Sequence, residues 1–323
     1  MKRIAVLTSG GDSPGMNAAI RAVVRQGIDL GMEVYGVNSG YKGLVDSQFK
    51  RFQLRDVSGI IEHGGTILHS RRMPEFKEEH IRDKAIRVLN KRKIDGLIVI
   101  GGNGSLKGAR ALYESGFPTV GVPATIDNDV CGTDISIGVD TALNMVVGAL
   151  DRIRDTAASL ERAFIVEVMG RESGYIALMG GLAGGAEAIL IPEVEYDYDE
   201  VAEKIYEGYK KGKEHSNIVV AEGVYPEGSA AHYVGEKIKE SIGFEMRVTV
   251  LGYMQRGGSP SAWDRSIGSR LGAAAVHQLD EGNGGVMVGM VGQEIKPTEL
   301  AEVTEKTKKI DLDLYELSQV LSK

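Results

Sequence analysis

Short β-branched runs alternate with helical patterns from the first residues onward, and glycine-rich turns fall where several of those runs end. Residues 4–8 read as a strand, 16–30 as a helix and 33–37 as a second strand, a βαβ rhythm that a parallel sheet with helical crossovers satisfies. The rhythm resumes with a charged helix over 78–91, a strand over 94–100, a helix over 105–115 and an apolar run over 118–122. A long helix over 139–155 leads to further strands at 163–168, 188–191, 217–221 and 247–251. At 323 residues the chain has room for two such lobes, and the first boundary is placed near Gly138. The stretches 194–199 and 225–231 read as surface connections, and no repeat of fixed period is present.

Open α/β sheets bind ligands beyond the carboxyl ends of their strands, so the residues that follow each strand carry the functional argument. Glycine makes up 43 of the 323 residues, well above an average share of about 7%, which implies many close backbone approaches. The formal charge of -7 and pI near 5.5 argue against nucleic acid or a membrane surface as partner. A single cysteine, Cys131, excludes a disulfide framework, and the six scattered histidines suggest no zinc site. The short apolar stretch after Met1 breaks at Thr8-Ser9-Gly10-Gly11, too early for a signal peptide or a span, and a cytoplasmic location is expected.

Pro123-Ala124-Thr125-Ile126-Asp127-Asn128-Asp129 places two carboxylates and a hydroxyl directly after an apolar run. An Asx turn would explain the Asp-Asn-Asp sequence alone. Two other turns weigh against that reading. Gly10-Gly11-Asp12-Ser13-Pro14-Gly15 and Gly101-Gly102-Asn103-Gly104-Ser105 both join a strand to a helix, where backbone N–H groups and the helix dipole suit an anion. Neither matches the Walker or dinucleotide fingerprints, and each taken singly could be an ordinary capped turn. Together they suggest a polyphosphate cradle beside carboxylates able to hold Mg²⁺ or activate a hydroxyl, the parts phosphoryl transfer requires. Asp127 is the better base and Asp129 the better metal ligand. Arg162, Arg171, Arg247 and Arg256 lie at or beside strand ends, where a guanidinium fork suits phosphate, and Glu222 could accept a sugar hydroxyl. Arg71-Arg72 is expected on a loop over the first site. Arg21 and Arg25 share a helical face, while Arg154, Glu187, Lys211, Lys213 and His215 lie far off in sequence and read on their own as surface charges.

Six motifs in order resemble the bacterial ATP-dependent 6-phosphofructokinases: Leu7-Thr8-Ser9-Gly10-Gly11-Asp12-Ser13-Pro14-Gly15-Met16-Asn17, Gly64-Gly65-Thr66, Thr125-Ile126-Asp127-Asn128-Asp129, Met169-Gly170-Arg171, Ala221-Glu222-Gly223 and Gln255-Arg256-Gly257-Gly258-Ser259-Pro260. The resemblance runs essentially the whole length. It implies two Rossmann-like α/β/α lobes with the active site between them, an ATP-binding lobe of 1–138 plus about 257–305 and a sugar-phosphate lobe of 139–256 plus about 306–323. The implied reaction moves the γ-phosphoryl of ATP to the 1-hydroxyl of fructose 6-phosphate, a glycolytic step, with Mg²⁺ as cofactor. The resemblance assigns Asp127 as base, with Arg171, Thr125 and Arg72 on the transferring group. ATP would lie on Gly11, Tyr41, Arg72, Gly102, Asn103, Gly104 and Ser105. The sugar phosphate would lie on Thr125, Asp127, Met169, Gly170, Arg171, Glu222, Tyr253 and Arg256, with Arg162 and Arg247 supplied by a neighbouring subunit of a homotetramer. Arg21, Arg25, Arg154, Glu187, Lys211, Lys213 and His215 would form an effector site for ADP and phosphoenolpyruvate.

Two positions depart from the family pattern. Asn103 stands where an acid is usual, which leaves Asp129 the main metal carboxylate with Asn103 as a weakened helper, and Tyr253 stands where a histidine is usual. These departures keep a second reading open, a weakened paralogue that senses nucleotide or sugar phosphate or serves as a regulatory subunit. Small residues at Gly104 and Ala124 favour ATP over pyrophosphate as donor.

Overall fold

The computed structural model describes residues 1–160, 162–211, 216–243 and 245–322. The chain opens with β1 (Arg3–Ser9), α1 (Met16–Asp29), β2 (Glu33–Val37), α2 (Gly40–Val45), β3 (Phe49–Arg51), α3 (Glu79–Lys91), β4 (Gly96–Gly101), α4 (Asn103–Glu114) and β5 (Thr119–Pro123). It continues through α5 (Val139–Leu160), β6 (Ala163–Val168), α6 (Tyr175–Ala183), β7 (Ala188–Leu190), α7 (Tyr198–Lys210), β8 (Ser216–Ala221), α8 (Ala230–Ile242) and β9 (Arg247–Val250). Last come α9 (Ala262–Asp280), β10 (Val286–Val291), β11 (Glu294–Glu299), α10 (Leu300–Glu305) and α11 (Leu312–Leu321). Two compact units result, unit 1 from Met1–Thr141 with Arg256–Lys308 and unit 2 from Ala142–Gln255 with Lys309–Lys323. No helix among the described residues is long and apolar enough to cross a membrane.

Unit 1 holds a seven-stranded sheet in the order β11-β10-β5-β4-β1-β2-β3, parallel through its centre and antiparallel at both edges. Its central strands β1, β4 and β5 are apolar on both faces because both are covered. Ile4, Val6, Ile98, Ile100, Val120 and Val122 pack toward residues of α1 and α9, while Ala5, Leu7, Leu97 and Val99 pack toward α2, α3, α4 and α10. Each fully buried Ile or Leu contributes about 1.5–3 kcal/mol relative to an exposed one. Helices α1 and α9 approach backbone to backbone. A Cβ at Gly272 would stand 2.5 Å from the Ala19 carbonyl, and one at Gly268 would stand 2.9 Å from that of Gly15. The edge strand pair β10 and β11 was not among the strands expected from periodicity.

Unit 2 holds a four-stranded parallel sheet in the order β7-β8-β6-β9. Ile165, Leu190, Ile218 and Val220 face α7 and α8. On the other face α6 comes close through Gly181, whose added Cβ would stand 2.8 Å from Ile189.

Candidate active site

Strand register assembles the unit 1 site. Ser9 pairs with Gly101 and Gly101 with Pro123, so three loops leave the sheet side by side at its carboxyl edge. The strand order reverses between β1 and β4, the switch point at which such sheets open a crevice. Packing then forces the loops together. A Cβ on Gly101 would lie 2.5 Å from the Ser9 carbonyl and 2.6 Å from Ser105 Oγ, and one on Gly10 would lie 3.2 Å from the same hydroxyl. Helix α4 begins at Asn103, so residues 103–105 form its first turn, in which the Ser105 N–H donates to the Gly102 carbonyl at 2.9 Å and those of Asn103 and Gly104 are left for the edge. Tyr41 is buried, stacks on Phe76 with ring centroids 4.0 Å apart and donates its hydroxyl to the Ser105 carbonyl at 2.6 Å. It therefore supports the turn from behind.

The 124–138 loop carries the two carboxylates. Asp127 is 4% exposed, Asp129 and Thr125 are half-buried, and the Asp127 N–H donates to Thr125 Oγ1 at 3.3 Å. Between the carboxylates Asn128 adopts a left-handed φ of 49° and is 2% exposed. Its Oδ1 accepts from the Ser136 N–H at 3.0 Å and its Nδ2 donates to the Asp134 carbonyl at 3.1 Å, closing the loop on itself. The loop also docks on β10. Thr133 Oγ1 accepts from the Met290 N–H at 3.1 Å, and the Asp134 N–H donates to the Met290 carbonyl at 2.7 Å.

Asn103 Nδ2 donates to the Asp129 carbonyl at 3.2 Å, joining the second glycine turn to this loop. An aspartate could not make that bond, so here the amide is a strut. Among the described residues no group of three His, Cys, Asp or Glu could hold a metal ion. One half-buried carboxylate, Asp129, would suit a Mg²⁺ ion that took its remaining ligands from phosphates and water.

The 60–72 loop is fastened onto the same edge. Thr8 Oγ1 donates to the His69 carbonyl at 2.9 Å, Ser70 Oγ to the Gly10 carbonyl at 2.7 Å, and Asn17 Nδ2 to the His63 carbonyl at 3.0 Å. Ser259 Oγ donates to the Glu62 carbonyl at 2.7 Å. Arg71 and Arg72 leave this loop exposed. Arg256 belongs to unit 1, where its guanidinium lies over Gly11 so closely that a Cβ there would be 2.7 Å from Nη1. The structure thus groups Gly11, Arg256, the 102–105 turn, Thr125, Asp127 and Asp129 in one unit. Gly104 borders open space, with no atom within 4 Å of an added Cβ, whereas Ala124 is wholly buried.

Unit 2 repeats the device with fewer parts. Val168 pairs with Ala221, so the 169–171 turn and Glu222 leave adjacent strands together. Glu222 Oε1 accepts the N–H groups of Gly170 at 3.1 Å and Arg171 at 2.8 Å. Arg171 is exposed with a left-handed φ of 53°, a strain that persists only where surroundings impose it. Gln255, wholly buried, accepts the Met169 N–H at 3.2 Å, and Glu193 accepts that of Gly174 at 2.9 Å. Neither had been singled out from sequence. Gln255 adjoins Arg256 in its motif, and Glu193 follows a strand and a proline. Tyr253 is 78% exposed on the 3₁₀ turn after β9.

Arg162 and Arg247 do not join this turn. They stand at the amino ends of β6 and β9, where Arg247 pairs with Phe164, whereas Arg171 follows the carboxyl end of β6. A six-residue strand at roughly 3.3 Å per residue puts about 20 Å between the two ends, beyond the reach of one bound sugar phosphate. Of the remaining set, Arg154 donates to the Gly184 carbonyl, Glu187 Oε2 accepts the Asn217 N–H at 2.6 Å and Lys211 is exposed, all in unit 2. Arg21 and Arg25 lie on α1 in unit 1, half-buried and exposed. Lys213 and His215 lie outside the described residues.

A family model described as Phosphofructokinase matches residues 3–279. The chain is 56% identical to an ATP-dependent 6-phosphofructokinase of Bacillus cytotoxicus and 54% identical to one of Natranaerobius thermophilus, each over 322 residues and 100% of both chains. Among solved structures, the phosphofructokinase of Saccharomyces cerevisiae aligns with TM-score 0.88 and 36% identity, over 100% of this chain and 48% of that one. A pyrophosphate-dependent phosphofructokinase of Marinobacter aquaeolei shares the fold at TM-score 0.85 and 24% identity, over 97% of this chain and 86% of that one.

Proposed function

The chain belongs to the phosphofructokinase family, and we propose that it catalyses ATP-dependent phosphorylation of fructose 6-phosphate to fructose 1,6-bisphosphate in the cytoplasm. The observation that carries this reading is the Ser9, Gly101 and Pro123 register, which unites two phosphate-suited turns with a buried aspartate. The sugar's 1-hydroxyl oxygen attacks the γ-phosphorus of ATP, Asp127 takes the hydroxyl proton, and the bond to ADP breaks. Charge developing on the transferred group meets the guanidiniums of Arg72 and Arg171, with Thr125 and the first turn of α4 as further donors. Asp129 would hold the Mg²⁺ that accompanies ATP, which would supply neutralisation of phosphate charge. Asn103 keeps the phosphate turn and the Asp129 loop in register through its bond to the Asp129 carbonyl. Open space at Gly104 supports ATP as donor in place of pyrophosphate.

Glu222, Met169, Gly170 and Arg171 hold the sugar, with Tyr253 at the rim. Arg256, Arg162 and Arg247 bind its 6-phosphate, the last two supplied by a neighbouring copy in a homotetramer, because their strand ends cannot serve the Arg171 turn of their own chain. Arg154, Glu187 and Lys211, with Arg21, Arg25, Lys213 and His215, make the effector site for ADP and phosphoenolpyruvate. A coupled assay for fructose 1,6-bisphosphate tests the reading, with ATP-dependent turnover expected from the native protein. Turnover equal to that of Asp127→Ala would sink it. Adding Asn103→Asp across a Mg²⁺ titration separates the strut from a metal ligand, since a ligand lost from the native chain would return as a lower Mg²⁺ requirement.

A further inference from the structure

Lys308 closes unit 1 just beyond α10, in a run of charged residues with no motif character. Its Nζ donates to the Asp134 carbonyl at 2.6 Å, the same oxygen that accepts Asn128 Nδ2 at 3.1 Å. The carboxylates of Asp134 and Asp129 and the Cys131 thiol are its charged and titratable neighbours. Burial draws the ammonium down to about 8 although Asp134 and Asp129 pull it upward, so the charge reaches that carbonyl at a cost in hydration. Lys306, two residues earlier, is exposed and pairs with Glu302 at 2.7 Å.

Asn128 stands between Asp127 and Asp129, so the carbonyl that anchors Asn128 also sets where both carboxylates lie. We infer that Lys308 is a positioning residue for phosphoryl transfer, clamping the 124–138 loop through the carbonyl it shares with Asn128. The inference rests on the functional reading above. An ammonium donor polarises that carbonyl and holds it more firmly than a neutral donor.

The test compares Lys308→Met, Lys308→Arg and the control Lys306→Met in the full-length protein. Lys308→Met is expected to lower kcat about ten- to a hundredfold with KM for both substrates within about twofold, because a charge-assisted bond is lost from the loop and not from a substrate contact. Lys308→Arg should recover most of the rate, and Lys306→Met should match the native protein. Amide hydrogen exchange should quicken across 124–138 in Lys308→Met while α1 and α9 stay protected. A Lys308→Met kcat equal to that of Lys306→Met would overturn the proposal, as would exchange that quickens uniformly. If the native protein shows no turnover, the functional reading fails, and the exchange comparison still decides whether Lys308 holds the loop.

Discussion

The carboxyl edges of unit 1 and unit 2 use the same plan of parallel strands and are finished differently. In unit 1 side-chain to backbone hydrogen bonds tie the 8–10 segment, the 60–72 loop and Ser259 together and join Asn103 to the Asp129 loop, and glycine at 101 allows an approach to the Ser9 carbonyl that any Cβ would obstruct. In unit 2 the 169–171 turn is held by two side chains, Glu222 on the N–H groups of Gly170 and Arg171 and Gln255 on that of Met169, and Arg171 is left in a left-handed conformation. Such a backbone costs of order 1–3 kcal/mol. The unit 1 edge, to which we assign the phosphates, is therefore preorganised within its own chain. The unit 2 edge rests on two side-chain anchors, Glu222 and Gln255, and lacks two of the cations proposed for it, which stand at the opposite end of its own sheet.

The largest expected effect tests the first half of that contrast. Asp127→Ala should lower kcat about a hundred- to ten-thousandfold, as loss of a general base does, while thermal unfolding and nucleotide binding by calorimetry stay near native. A smaller effect tests the Glu222 anchor. Glu222→Ala removes the acceptor for two N–H groups and should raise KM for fructose 6-phosphate about ten- to a hundredfold, read from initial rates, with Glu222→Gln closer to native. Smaller again is the activity regained on mixing. Arg162→Ala and Glu222→Ala proteins, each weak alone, should recover a fraction of native activity when refolded together, since some sites then carry neither defect. Activity equal to the mean of the two would place Arg162 in its own chain's site.

The smallest effect concerns the frame beneath unit 1. Asp264, wholly buried, accepts from the N–H of Gly138 at 2.7 Å, the N–H of Thr141 at 2.8 Å and Thr141 Oγ1 at 2.5 Å. Burial raises its carboxyl above the usual range, and those donors oppose the rise only in part. Between the unfolded and the raised folded value the folded state holds the extra proton. Its contribution to stability is thus full below about pH 4 and falls as pH rises through the folded value. Urea unfolding should show the native protein gaining on Asp264→Asn as pH is lowered from neutral toward 4.

Asp127 was legible in the sequence because strand, turn and carboxylate are consecutive there, so local pattern and chemistry coincide. The two glycine turns were legible for the same reason, although α4 starts two residues earlier than its periodicity suggests because glycine and asparagine dilute the apolar pattern. Tyr41 came only from the resemblance, as a contact of ATP, whereas the structure makes it a buried prop beneath the 102–105 turn. Gln255 and Lys308 carry no local signal, since a glutamine or lysine becomes informative only through the distant backbone group it meets.

By itself the sequence determined the alternation of strand and helix, the placement of chemistry after the strands, and the family. Hydrophobic periodicity and turn residues act over a few positions, and these features are local. The tertiary structure decided that Arg256 lies over Gly11, that Asn103 braces Asp129, and that Arg162 and Arg247 stand at the far end of the sheet from Arg171. Those outcomes depend on strand order, register and close packing between residues far apart in the chain, where no local rule reaches.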